Sequence, residues 1–214
     1  MRRLRRTRAG QSLVEFSLIV TVVMLMLLGM LEFGFVFDHH LTLEYATREA
    51  ARVGAALVNG GGALGCSAGQ SPNAAIVDPQ IVAAVQRVVK SPGSLVVESR
   101  ISQIRIYKAV AAPLTLTPYP TGDQDSGYVN VWTWAGVAGG TDTVDGVKLD
   151  FKLSGSNGWT VCSRNNGANP DSIGVSVTYN YQFVTPLAAV MGFFGGGPSQ
   201  ITLNDRTIMA LNPS

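Results

Sequence analysis

Apolar positions follow two regimes along this chain. From Leu13 to Leu31 they are almost continuous, broken by Glu15, Ser17, Thr21 and Gly29. These nineteen residues, at a rise of ~1.5 Å each, make a helix of about 28 Å, close to the hydrocarbon thickness of a bilayer. Past Leu31 the helical pattern continues without a proline. Leu43, Ala46, Ala50, Val53 and Leu57 recur at alternating steps of three and four and form one stripe. Glu44 and Arg48 make an i,i+4 pair on another face, with the glutamate N-terminal, the better order. "NGGG" at Asn59 to Gly62 offers residues suited to positive φ, where a helix ends. The pattern predicts one long helix from about Ser12 to Val58. Its first half is suited to lipid, and its second half packs on a domain.

The second regime is shorter in period. "DPQIVAAVQRVVKSPG" predicts a short amphipathic helix with Asp78 as N-cap and Pro79 as first helical residue. Its apolar face is Ile81, Val82, Val85, Val88 and Val89. Strand patterns follow over Ser94 to Val110, Tyr128 to Trp134, Val147 to Ser154, Ile173 to Val184 and Ile201 to Leu211. Alternation is clearest in "VSVTYNYQF" and "KLDFKL", which suits half-buried antiparallel strands. Two helices followed by strands predict an α+β fold, with an antiparallel sheet packed on the outer half of the first helix.

Charge changes the picture at one end only. The chain has 214 residues and a formal net charge of +2. Arg2, Arg3, Arg5, Arg6 and Arg8 precede Gly10; the rest carries 11 basic against 14 acidic residues, a balance of −3. The remainder has no basic patch to hold phosphate backbones, which excludes a nucleic-acid partner. The arginines mark the cytoplasmic end of the apolar run, so the C-terminal part is expected outside. A secretory signal has a shorter apolar region that ends at a small-residue cleavage site. This run is longer and leads into more helix, so it is expected to anchor. The charged fraction, 14%, is low and glycine is high at 24 residues, which suits a loop-rich domain outside the cytoplasm. Cys66 and Cys162 are an even count in such a compartment, where one disulfide closing a long loop is expected; two free thiols are the alternative.

A basic leader, a glycine, a polar pair and then an apolar helix with glutamate as the fifth residue after the glycine resemble the type IV pilin signal. More closely, "GQSLVEFSLIV" (Gly10 to Val20), "LLGMLEFG" (Leu27 to Gly34) and "YATREAARVGA" (Tyr45 to Ala55) resemble the TadE-like family. Its members are minor pilins, or pseudopilins, of tight-adherence (Flp, type IVb) pilus machines. The resemblance covers roughly the first fifty residues. It implies a pilin-like fold and cleavage by a prepilin peptidase between Gly10 and Gln11, with the leader arginines holding that site at the membrane face. It also implies an assembly role for Glu15, with Phe16 beside it. In pilins a glutamate at this spacing pairs with the terminal amine of a neighbouring subunit. Relatives often carry proline about six residues beyond the glutamate, where this chain has Thr21, whose hydroxyl can bond back one turn and bend the helix weakly. Glu32 falls near the outer interface and is expected to be solvated or to face headgroups.

Other motifs lack the context their chemistry needs. "GCSAG" at Gly65 to Gly69 matches the nucleophile elbow around Ser67, but no strand precedes it and both histidines, His39 and His40, come earlier. Those histidines, with Glu44, do not make a metal site and are expected as interfacial side chains. "DQDSG" (Asp123 to Gly127) resembles the start of a calcium loop, but Trp134 stands where the bidentate glutamate belongs; a solvated turn is expected. Trp132, Trp134 and Trp159 are expected to pack in the core or on a strand face. No catalytic residue, metal or cofactor is expected.

The expected organisation is a leader over 1–10, a transmembrane helix over 11–34, its exported continuation over 35–58 and an exported α+β domain over 59–214. The expected function is that of a non-catalytic minor pilin in the bacterial cytoplasmic membrane, single-pass with a cytoplasmic N-terminus. Its partners would be other pilins and pseudopilins, the prepilin peptidase, the pilus assembly platform and lipid. The alternatives are an uncleaved, anchored adhesion module and an anchored exported hydrolase.

Overall fold

The first element is one unbroken helix, α1 (Ala9–Leu57), of 49 residues. It contains no proline, and two hydroxyls in its apolar half close on its own carbonyls. Ser17 Oγ donates to the Val14 carbonyl at 2.8 Å, and Thr21 Oγ1 donates to the Ser17 carbonyl at 2.7 Å. The back-bond expected of Thr21 is therefore made within a continuous helix. The computed structural model describes residues 9–57, 76–109, 124–165, 170–193 and 200–211.

The chain divides into two compact units, with boundaries after Phe37, Tyr181 and Ile201. The first contains α1 up to Phe37 and residues 182–201. Its helix is apolar on every side. The most apolar 18-residue window has a mean hydropathy of 2.4, and none of it is buried. A helix hydrophobic all round must be covered by protein or by lipid. This unit also holds a short apolar helix, α3 (Leu187–Phe193).

The second unit contains α1 from Asp38 onward, α2 (Val77–Val89) and most of the strands. The strands are β1 (Ile101–Ala109), β2 (Gln124–Trp134), β3 (Thr143–Val144), β4 (Val147–Lys148), β5 (Phe151–Ser154), β6 (Ser172–Gln182) and β7 (Gln200–Ala210). Five form a sheet in the order β5-β2-β1-β6-β7. The β5–β2, β2–β1 and β1–β6 pairs are antiparallel. Two helices on an antiparallel sheet make the fold α+β.

β3 and β4 form a separate hairpin around Asp145 and Gly146, both at positive φ (51° and 79°). Two consecutive positive φ values are what a tight hairpin of this twist requires, and Asp-Gly supplies them. Val147–Ser154, expected as one strand, is thus two. "DQDSG" is also not a turn: residues 124–127 begin β2, and Asp123 lies outside the described residues.

The buried stripe of α1 is Leu43, Ala46, Thr47, Ala50, Ala51 and Gly54, while Val53 and Leu57 are only half-buried. Small residues let α1 approach its neighbours closely. A methyl group at Gly54 would come within 2.8 Å of Ile173 Cδ1 on β6 and 2.9 Å of Ile81 Cδ1 on α2. Thr47 Oγ1 donates to Asp205 Oδ2 and lies 3.0 Å from Thr207 Oγ1, tying α1 to β7.

α2 is buried on more than one face, since Ala83, Ala84 and Gln86 are covered along with Ile81, Val82, Val85 and Val89. β6 shows the expected alternation only in its second part: Val177, Tyr179 and Tyr181 are buried while Thr178 and Asn180 are half-buried and Gln182 is exposed, whereas Ile173, Gly174, Val175, Ser176 and Val177 are buried in succession. There the Tyr107 ring covers its Gly174 partner, where a Cβ would meet the ring at 2.3 Å.

Candidate assembly surface

The first turns of α1 carry the residues singled out for processing and assembly. Gly10, Gln11, Glu15 and Phe16 are all exposed. A Cβ at Gly10 would meet nothing within 4 Å. Gln11 Nε2 donates to Glu15 Oε1 at 3.0 Å, one helical turn along. Glu15 thus has a neutral partner on its own helix and an open apolar surface around it. Leu13, Phe16, Leu18 and Ile19 are each more than 60% exposed. Such a surface, with one carboxylate set into it, can be satisfied only by lipid or by other apolar helices that bring a matching charge.

Glu32 behaves differently. It is buried, at 3% exposed. Its Oε1 accepts the Val184 N–H at 3.0 Å and its Oε2 accepts the Thr185 N–H at 2.8 Å. The expected solvated carboxylate is in fact a capped one, because the chain leaving β6 returns to α1 at this level.

Further along, Glu44 and Arg48 form the expected ion pair, and Glu49 pairs with Arg52 at 2.9 Å. These charges leave the core stripe. Arg48, Glu49 and Arg52, with Tyr45, Arg87 and Val88, line a broad groove of about 770 Å³ in the second unit.

Residues 10–52 match the family model of TadE-like protein. The match spans the apolar helix, Glu15, Glu32 and the Glu44–Arg52 face of this chain of 214 residues. No curated protein and no solved structure matches the chain. Over this segment the chain is similar to the TadE-like family, and the one helix among the described residues long and apolar enough to cross a membrane fits a single-pass anchor.

The two histidines within the matched segment part company. His40 is exposed, but His39 is buried and packs between Tyr179 and Tyr181, with ring centroids at 5.5 and 5.0 Å. It belongs to the core of the second unit rather than to an interface. Among the described residues, no group of three or more His, Cys, Asp and Glu is placed to hold a metal.

Cys162 lies in a 3-10 turn (Val161–Ser163) and is disulfide-bonded. Cys66, Ser67 and the leader arginines Arg2, Arg3, Arg5, Arg6 and Arg8 lie outside the described residues. Trp132 and Trp159 are buried while Trp134 is 39% exposed, so the three do not share a binding surface.

Two buried polar clusters were not foreseen. Asp78 does not cap α2, whose N-terminus has no side-chain cap. Its carboxylate instead accepts Arg164 Nη2 and Asn130 Nδ2, both at 2.6 Å. Asn130 also brackets the Trp159 backbone, donating to its carbonyl and accepting its N–H, both at 2.9 Å. Arg164 stacks 4.4 Å from the Trp159 ring centroid. A buried guanidinium is a stronger partner for a carboxylate than free helix N–H groups.

The second cluster is Lys90, Glu98 and Asp150. Lys90 Nζ donates to Asp150 Oδ2 and lies 3.4 Å from Glu98 Oε2. Asp150 Oδ1 accepts the Ala138 N–H at 2.6 Å, and the Asp150 N–H donates to Gln86 Oε1 at 2.9 Å. Burial first, then the Asp150 carboxylate, push Glu98 up to about 7 against the pull of Lys90. Burial also opposes ionisation of Asp150, but the bonds from Lys90 and the Ala138 N–H hold it below its ordinary value. The cluster joins the end of α2 to the turn before β1 and to the loop before β5. A sequence gives no sign of it, because its members are 60 positions apart at the Lys90–Asp150 bond.

Proposed function

We propose that this protein is a single-pass minor pilin or pseudopilin of a tight-adherence pilus, acting by assembly rather than by catalysis. A prepilin peptidase cuts it between Gly10 and Gln11 on the cytoplasmic side, and the leader arginines hold that site at the membrane face. Processing changes the chemistry of the first turn. Gln11, which offers Glu15 a neutral amide at 3.0 Å, becomes the N-terminal residue and gains a charged α-amine.

An unpaired carboxylate in lipid costs a few kcal/mol, and a cationic partner on a neighbouring helix removes that penalty. Glu15 therefore favours lateral packing with a processed pilin over isolation in the bilayer. Phe16 and the other exposed apolar side chains supply the contact area. The partners are other pilin and pseudopilin subunits, the assembly platform and lipid. The α+β part is exported, in keeping with arginines at the cytoplasmic end of the span.

The observation that carries this reading is an exposed Glu15 in a wholly apolar, uncovered helix inside a TadE-like segment. The test is the intact mass and N-terminal sequence of the chain from its native membrane. A chain starting at Gln11 is expected. One that keeps Met1 is an uncleaved anchor, and one cut beyond Leu31 is a secreted protein; either defeats the proposal. Glu15→Ala is expected to abolish co-isolation with pilus components while leaving membrane insertion intact.

A further inference from the structure

We propose that residues 183–193, which follow β6 and end in α3, are a second membrane contact: they seat in the lipid interface beside the C-terminal end of the span. This goes beyond the assembly role, and it rests on the reading of α1 as a membrane anchor.

Composition comes first. Residues 183–193 read "FVTPLAAVMGF" and contain no charge. None of residues 183–189 is buried. Val184 is 62% exposed, and Ala189 and Gly192 are exposed. A water-facing connection of this composition is an aggregation hazard, whereas a lipid-facing one is not.

Depth comes next. The Val184 and Thr185 N–H groups are both bonded to the Glu32 carboxylate, which fixes the start of the connection to α1 at that level. α1 remains apolar beyond it and exposed on one side: Phe33 is 72% and Phe37 is 53% exposed, Phe35 and Val36 are half-buried, and the next charged residue is Asp38. Six residues of helix span about 9 Å. The connection therefore starts about 9 Å on the span side of the first charge, level with an apolar, phenylalanine-rich girdle.

The bonding at Glu32 is what such a depth demands. Non-helical backbone near the hydrocarbon must find internal partners for its N–H groups, and a carboxylate there must find donors. Glu32 and the chain after Gln182 satisfy each other. Lipid is the occupant these facts select, because the uncharged connection begins at a carboxylate of α1 and falls in the same compact unit as the apolar span.

The test uses the full chain in liposomes of phosphatidylethanolamine and phosphatidylglycerol. Spin labels are placed singly at Ala189→Cys and Gly192→Cys, with the unmutated chain as blank. A Cβ at Gly192 meets nothing within 4 Å, so a label there does not disturb packing. Met24→Cys serves as the lipid reference and Val137→Cys, at 80% exposed, as the aqueous one. The readout is collision with oxygen, which concentrates in lipid, against collision with a water-soluble nickel chelate. The expected result is an oxygen-to-nickel ratio at 189 and 192 several-fold above that at 137 and approaching that at 24. A ratio like that at 137 overturns the proposal by placing α3 in water. Low collision with both reagents overturns it by placing α3 against protein, such as a second copy. If Met24 itself reads as aqueous, the anchor reading falls, and this proposal falls with it.

Discussion

Glu32 and Thr185 stand 153 positions apart and share a 2.8 Å hydrogen bond. With the neighbouring bond to Val184, one carboxylate on α1 holds two backbone donors that lead into α3. Glu32→Ala leaves both donors without their acceptor. It is expected to cost about 1–3 kcal/mol and to speed hydrogen exchange at the Val184 and Thr185 amides. Glu32→Gln keeps one acceptor oxygen and should fall between. Unchanged exchange at both amides in the alanine variant would rule out the bond.

The Asp78–Arg164 pair is buried, yet Arg164 Nε and Nη1 have no hydrogen-bond partner among the described residues. Removing one charge strands the other. Arg164→Met is expected to destabilise the fold by about 3–5 kcal/mol, measured by denaturant unfolding with the buried tryptophans Trp132 and Trp159 as the signal. Replacing both charges, Asp78→Leu with Arg164→Met, should recover much of that loss, since it removes the stranded carboxylate together with the unpartnered guanidinium nitrogens.

Stability should fall as pH rises toward neutral, through Glu98. Its carboxyl titrates near 4.5 when unfolded and is pushed up to about 7 in the fold. Between those values the folded state keeps a proton that the unfolded state has released. That contribution is complete below the unfolded value and is lost as pH rises through the folded one. Asp150, held low, acts the other way: its contribution is present above its ordinary value and lost as pH falls through its depressed one. The melting temperature should therefore decline from about pH 5 to about pH 8. Glu98→Gln, whose amide mimics the protonated acid, should flatten that decline. An identical slope in the variant would assign it to other groups.

Gly54 sits where α1 meets Ile173 and Ile81. Only side-chain ends crowd the position, so Gly54→Ala should stay within about 1 kcal/mol, its clash offset by better helix propensity. Gly54→Leu overpacks the same contact and should cost about 1–3 kcal/mol in denaturant unfolding. Equal tolerance of both would mean that α1 does not lie this close.

Much of the architecture was legible because it depends on local pattern. An apolar run with no proline dictates the helix, and steps of three and four place Leu43, Ala46 and Ala50 inside. The pattern overreached at Val53 and Leu57, since Gly54, silent in a hydrophobic count, proved to be the closest approach. The β3–β4 hairpin had a readable signal in Asp145-Gly146 that went unused. α3 had none: seven residues between a proline and a glycine-rich stretch carry no decisive period.

The polar sites divide the same way. Glu15 stood out because a carboxylate in an apolar run is anomalous on sequence grounds alone, and its spacing from Gly10 is a local fact. Glu32, Asp78 and His39 were each read from neighbours in sequence, as a headgroup contact, a helix cap and an interfacial ring, and Glu98 drew no reading of its own. Their partners are Thr185, Arg164, Tyr179 and Asp150. By itself the sequence determined the anchor-like helix, the α+β class and the TadE-like segment, since each arises from residues within a few turns of one another. The tertiary structure alone decided which carboxylates are buried and what holds them, because a buried charge is set by donors that folding brings from distant parts of the chain.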